Sequence, residues 1–266
     1  MTNALPLYRR ALGDSWRSLI GWSLGVVGAI FLYVPLFPSI GGSPDVQKLL
    51  ESMPPELIKA LGYDSLSSGA GYVHSTFYGL IGFVLVVIAA TTWSTAAIAG
   101  DEETGSLELT LAHGVTRVQI VLERAAAIVT RLLWLTVLSV LLVLALNDSA
   151  GLAIEPGNLL GEGAAFLGLA MVSAGFGLAV GAITGRRTYA SAAAAGVAVA
   201  GYALNAVGNQ SSDLEWLHAL SPYAWAYGTL PLANGADWAG LALLYGVSAA
   251  LIAVAALALS RRDVTG

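Results

Sequence analysis

The sequence predicts an all-α integral membrane protein. It has six transmembrane helices, an amphipathic interfacial helix at the N-terminus and a short cytoplasmic helix between transmembrane helices 2 and 3. Three observations lead there. Hydrophobic residues make up 56% of the 266 residues and charged residues only 11%, against about 25% charged in a soluble domain; mean hydropathy is +0.73. Six stretches lack Asp, Glu, Lys and Arg over roughly the 20 residues that cross a bilayer: Ser18–Pro44, Ser65–Gly100, Leu132–Asn147, Gly163–Gly185, Thr188–Ser212 and Trp238–Ser260. The basic residues also divide cleanly between the two sides of these stretches.

The spans fall at about 19–40, 74–99, 124–146, 163–184, 188–207 and 239–259, in a single transmembrane domain covering residues 1–266. The third stretch is short, but Ala125–Thr130 extends it and leaves Arg131 near its start, within snorkelling reach of the interface. With the N-terminus inside, Arg9, Arg10, Arg17, Arg117, Arg124, Arg131, Arg186, Arg187, Arg261 and Arg262 all lie in inner segments, and Lys48 and Lys59 in outer ones. The positive-inside rule then makes both termini cytoplasmic. Asp45, Glu51, Glu56, Asp64, Asp148, Glu155, Glu162, Asp213, Glu215 and Asp237 gather outside. The net charge of -5 is therefore mostly an outer-face property and implies no nucleic-acid partner. The first apolar stretch is too long for a signal-peptide h-region and is read as a permanent span. There is no cysteine, so the redox compartment is not legible. The preference for Arg over Lys, with abundant Ala and Gly, points to a bacterium with a GC-rich genome.

Taken in order, Leu5 to Ile20 reads as an amphipathic helix before the first span. Leu5, Tyr8, Leu12, Trp16 and Leu19 share one face, and Arg10, Asp14 and Arg17 share another at pairing distance. Such a helix suits the inner headgroup layer. The first outer loop, Gly41 to Gly71, carries an amphipathic pattern over Val46–Leu61 interrupted by Pro54-Pro55. The second, Asn147 to Glu162, is Gly-rich and acidic. The third, Gly208 to Trp238, holds Trp216, Tyr223, Trp225, Tyr227 and Trp238. Aromatic residues favour the headgroup level, so this loop is expected to form short helices dipping into the outer leaflet, with anchoring as its default role and substrate release as the alternative. Gly177, Gly181 and Gly185 form a small-residue ridge on the fourth span. Ala192–Gly196 and Ala200-Gly201 do the same on the fifth, and Gly21 and Gly25 on the first. Close packing within the bundle is the default reading; a dimer contact or sliding surface is the alternative.

The chemistry that is missing narrows the function. No span is expected to hold a carboxylate or Lys near mid-membrane, where ion-coupled transporters need relays. Ser173, Thr184, Asn205, Thr91 and Thr92 are scattered and suit bonds to a neighbouring helix or their own backbone. His74, His113 and His218 fall far apart, without a zinc-type H-E-x-x-H, so no metal site is expected. Glu102-Glu103 is followed by Leu107 where a prenyl-protease E-E-x-x-x-R motif needs Arg. Ser75 follows His74 without a G-x-S-x-G elbow. No residues are read as catalytic, and with no phosphate loop the chain is expected to bind no nucleotide or other cofactor itself.

The insert between spans 2 and 3 carries the functional argument. Asp101, Glu102 and Glu103 stand where they favour the N-terminus of a following helix. Gly105 permits a sharp turn, and Ser106 is placed to cap the next helix. Leu107, Leu109 and Leu111 cannot all face lipid while Glu108 stays wet, and suit a short helix pressed into a protein groove. Thr116 and Gln119 match a capping box for the third span.

Gly100-Asp101-Glu102-Glu103-Thr104-Gly105-Ser106-Leu107-Glu108-Leu109 resembles the acidic G-E-x-x-x-G-T-L-E-L signature of ABC-2 type ABC transporter permeases. Ala112 to Arg117 is similar to the stretch that follows it, with His113-Gly114 where Thr-Pro is common. The resemblance implies that this insert is a coupling helix docked on a separate ABC ATP-binding subunit. Asp101, Glu102, Glu103, Gly105, Ser106, Leu107, Glu108, Leu109 and Arg117 would form the contact: Leu107 and Leu109 in a groove, and Glu102, Glu103 and Glu108 near basic groups at its rim. It also implies two ATP-binding subunits, which bind the ATP and Mg, and a second permease subunit, identical or homologous. Export is the usual direction. A substrate path between spans 2 and 5 at the subunit interface would be lined by Phe77, Phe83, Thr91, Trp93, Tyr202 and Asn205. That mix suits an amphipathic or lipid-like molecule, and equally any membrane bundle. The competing readings are a secondary transporter or channel, which needs an intramembrane charge or an inverted repeat, and a membrane-embedded enzyme, which needs two ionisable groups at one depth.

Overall fold

A computed structural model describes residues 5–41, 43, 54 and 66–262. The Val46–Leu61 pattern, Lys48, Lys59 and the acidic residues 45, 51, 56 and 64 of the first outer loop lie outside the described residues. Most of those described are helical, with no strand among them.

The N-terminal pattern folds as two helices, α1 (Pro6–Asp14) and α2 (Trp16–Tyr33), meeting at Ser15, whose hydroxyl donates back to the Ala11 carbonyl at 2.7 Å. The Arg10–Asp14 pair forms at 3.5 Å but is fully at the surface, where such pairs contribute little. α3 runs without a break from Gly69 to Glu103 and contains two π-helical stretches, His74–Ile81 and Ala96–Gly100. A short helix α4 (Ser106–Ala112) follows, then α5 (Arg117–Leu146), α6 (Pro156–Thr184) and α7 (Arg187–Gly208). The segment after α7 folds into a 3-10 stretch (Ser212–Leu220) and two short helices, α8 (Pro222–Tyr227) and α9 (Pro231–Asn234), followed by α10 (Trp238–Arg261). Among the described residues, six helices are long and apolar enough to cross a membrane: α2 with its extension to Ile40, then α3, α5, α6, α7 and α10.

These helices overrun the apolar windows. α3 continues to Glu103, α5 begins at Arg117 and α6 at Pro156. A helix stops where its end groups find partners, not where hydrocarbon ends. Thr116 supplies one such stop: its hydroxyl accepts the Gln119 amide at 3.2 Å. Only half the expected capping box forms, because the Gln119 side chain donates to Glu123 at 2.6 Å instead.

α6 sits at the centre, buried along most of its length and packed against α3, α5, α7 and α10. Its glycines make this possible. A Cβ at Gly177 would lie 2.2 Å from Ser94 Oγ on α3, and one at Gly168 would lie 3.0 Å from Leu244 on α10. Gly181 faces Ala99 and Ala190, and Gly185, at φ +65°, ends the helix in the left-handed region. The ridge is thus spent within the bundle, and Ser173 ties α6 to α7 through the Ala194 carbonyl at 2.7 Å. Thr92 and Thr184 bond their own helix backbones, as their scatter suggested.

Three sequence expectations are corrected. Tyr223 and Tyr227 are not headgroup anchors; they are buried, and donate to the Gly79 and Tyr78 carbonyls at 2.8 and 3.2 Å. Those carbonyls lie in the first π-helical stretch, where the wide turn disturbs regular pairing, and α8 satisfies them. Trp216 and Trp238 do remain exposed. Glu162 is not in the outer loop: it stands two turns into α6, fully buried, 2.8 Å from His74 Nδ1 and accepting the Leu232 amide at 3.1 Å. Arg131 is not at the start of its span. It is midway along α5 and 7% exposed, with its guanidinium 5.0 Å from the Trp93 ring centroid.

Candidate functional site

The insert between α3 and α5 is built from two turns of backbone that only glycine adopts freely. Gly105 at φ +72° ends α3's polar extension and starts α4; Gly114 at φ +78° reverses the chain after it. Ser106 is the first residue of α4, not its cap; the cap position is Gly105, and the Ser106 hydroxyl lies 3.3 Å from the Asp101 carbonyl. Thr104 closes the end of α3 with its hydroxyl 3.0 Å from the Gly100 carbonyl.

The acidic triplet therefore sits at the C-terminal end of α3, not at the N-terminus of the next helix. Carboxylates there oppose the helix dipole, and each is compensated from another helix. Asp101 pairs with Arg124 of α5, whose guanidinium also donates to the Ala97 carbonyl. Glu102, with a side chain only 10% exposed, pairs with Arg262 just past α10. Glu103 accepts the backbone amide of Arg187 at 2.8 Å, and so caps the start of α7, where a negative charge is favoured. Arg117 donates to the carbonyls of Leu259 and Arg262, satisfying the end of α10. The left-handed Gly185 is needed here as well: a Cβ would lie 2.6 Å from both Glu102 and Arg262.

The insert is thus clamped to α5, α7 and the end of α10. Within α4, Leu107 is fully buried in the chain's own core and Leu111 packs against that core, whereas Leu109 is 67% exposed. The face turned outward carries Glu108, Leu109, Ala112 and His113. Arg124, Arg187 and Arg262 complete the clamp. Sequence reasoning counted them only as inner-side charge; the signal it passed over is that three acids and several arginines flank the same membrane face. Glu123 was missed altogether. Its Oε2 accepts the amides of Leu7 and Tyr8 at 2.8 and 2.9 Å, fixing α1 to α5.

The residues expected along a substrate path lie on α3 and α7. Phe77 is fully buried against Tyr78 and Phe166, and Phe83 packs on Tyr202 and Tyr223. Trp93 is buried, with its indole N–H donating to Ser18 at 3.1 Å. Thr91 Oγ1 is buried without a hydrogen-bond partner, and Asn205 is half-buried. Among the described residues no three His, Asp or Glu side chains converge as a metal site requires.

A family model described as ABC-2 family transporter protein matches residues 5–264, from the start of α1 to beyond the end of α10. No curated protein matches the chain. The match takes in all six membrane-crossing helices and the clamped insert, so the chain belongs to the ABC-2 family of transporter proteins and is a multi-pass membrane component of a transporter.

Proposed function

We propose that this chain is the permease subunit of an ATP-driven exporter in a bacterial plasma membrane, with both termini cytoplasmic. It works beside a second permease subunit, identical or homologous, and two ATP-binding subunits that hold the ATP and Mg. Its own work is mechanical. A driven switch needs contacts that differ between two states, and α4 is where a partner's movement enters. The observation that carries this reading is the clamp: Asp101–Arg124, Glu102–Arg262 and Glu103 on the Arg187 amide tie the insert to α5, α10 and α7. Force applied to the outward face of α4 reaches three spans besides α3 itself. Phe83 and Tyr202, stacked at 6.4 Å, join α3 to α7, the pair between which the substrate path is placed.

Docking and transmission separate experimentally. Leu109→Ala should weaken assembly with the ATP-binding subunit, by on the order of 2 kcal/mol if Leu109 is a central anchor. Glu102→Gln leaves the outward face intact, so it should assemble normally but couple ATP hydrolysis to transport poorly. Co-purification and ATPase assays on the reconstituted complex read both. If both variants assemble and transport like the parent, the coupling reading is wrong.

One observation favours a second reading. The buried His74–Glu162 pair is the kind of intramembrane ionisable group that proton-coupled transporters use. Uptake or efflux driven by a proton gradient, with no ATP-binding subunit present, would select a secondary transporter instead.

A further inference from the structure

A cavity of about 590 Å³ opens between α1, the end of α3, α4 and α5, within the 300–1,000 Å³ range of small-ligand sites. The charged side chains lining it are Arg10, Asp14, Asp101, Arg124 and Arg131. Arg10 pairs with Asp14 and Arg124 with Asp101. Arg131 has no carboxylate partner among the described residues. Its Nε donates to the Ala127 carbonyl of its own helix at 3.0 Å, and its guanidinium lies over Trp93. The charged lining therefore carries an excess of one positive charge, and that charge is more than nine-tenths buried.

Its depth makes the excess significant. Arg131 lies midway along α5, at the edge of the uncharged stretch that begins at Leu132. A cation at that depth is unfavourable without a counter-charge. Trp134, one turn further along the same face of α5, presents a half-exposed apolar surface beside Arg131. Leu7, Ala11, Ala96 and Ala97 give the cavity apolar walls, and the Ser18 hydroxyl, which accepts from Trp93, keeps its own proton to donate.

We infer that this cavity binds the phosphodiester headgroup of an anionic phospholipid from the leaflet on the side of the two termini, with Arg131 as its counter-charge. Basic pockets between transmembrane helices bind headgroups in this way. The inference does not rest on the coupling role of α4.

The test uses the full-length chain, with whatever subunits co-purify, in micelles doped with phosphatidylglycerol and read by native mass spectrometry. One tightly held phosphatidylglycerol per chain is expected. Arg131→Gln should lower its affinity about tenfold, the loss expected of a charge-assisted hydrogen bond, while Arg131→Lys should retain part of it. Ala11→Trp fills the cavity from α1 without altering any charge, and should expel the lipid as well; it decides the matter should Arg131→Gln fail to insert. Lipid retention unchanged in Ala11→Trp, or in a folded Arg131→Gln, overturns the proposal. Displacement by equimolar inorganic phosphate also overturns it, because it identifies a soluble phosphate as the occupant.

Discussion

Glu162 offers the sharpest test of the packing. It is fully buried in α6, 2.8 Å from His74 Nδ1 of α3, and accepts the Leu232 amide of α9 at 3.1 Å. One carboxylate thus joins three elements at the end of the bundle away from the insert. Glu162→Ala removes both bonds. Losing a hydrogen bond to a charged acceptor costs about 1.5–3 kcal/mol, and leaving a buried amide unpaired costs about 1–3 kcal/mol more. The sum, roughly 2.5–6 kcal/mol, brackets the cost of breaking a buried pair. For a chain of this size that corresponds to a fall in Tm on the order of 10 °C. Glu162→Gln keeps an acceptor for Leu232 and should lose less than half as much. Thermal unfolding of the full-length chain in detergent, followed by tryptophan fluorescence, reads both. If Glu162→Ala lies within about 0.5 kcal/mol of the parent, as a surface substitution would, then Glu162 faces water and the outer end of α6 is not packed as described.

Two further outcomes follow. Gly177→Ala places a Cβ 2.2 Å from Ser94 Oγ, whereas Gly196→Ala meets nothing within 4 Å; the first should cost about 1–3 kcal/mol as overpacking and the second should be neutral or slightly stabilising, by the same thermal assay. In intact cells a membrane-impermeant thiol reagent should label a cysteine placed at Ser211 and spare one at Ser260; the opposite pattern would reverse the proposed topology.

Much of this fold was legible because a bilayer imposes two simple conditions, apolar length and a charge bias. Those conditions located the six crossing helices and said little about their ends. Helix termini depend on local partners, and most of those partners are distant in sequence: Glu103 caps α7 across 84 residues, and Glu102 meets Arg262 across 160. The buried polar residues were hidden for the same reason. Glu162 follows a Gly-rich acidic stretch and reads as loop until His74 is brought beside it. Arg131 reads as an interfacial residue until α5 is seen to begin at Arg117. Tyr223 and Tyr227 have the composition of headgroup anchors, and only the π-helical stretch of α3 reveals the carbonyls they serve. In the insert, the run Leu107, Leu109, Leu111 was legible as a short helix with mixed faces. Which leucine turns inward depends on the positive φ at Gly105 and on the packing behind it.

The central claim is that the outward face of α4 docks on an ATP-binding subunit. The chain has no cysteine, so single cysteines can be placed at Leu109, which is 67% exposed, and at Leu107, which is fully buried. The direct measurement is photo-crosslinking from each position in membranes that contain the whole transporter, with the adducts identified by mass spectrometry. A strong adduct is expected between position 109 and the ATP-binding subunit, altered when nucleotide is bound, and none from position 107. Absence of any adduct from position 109 in an assembled, transporting complex would contradict the claim.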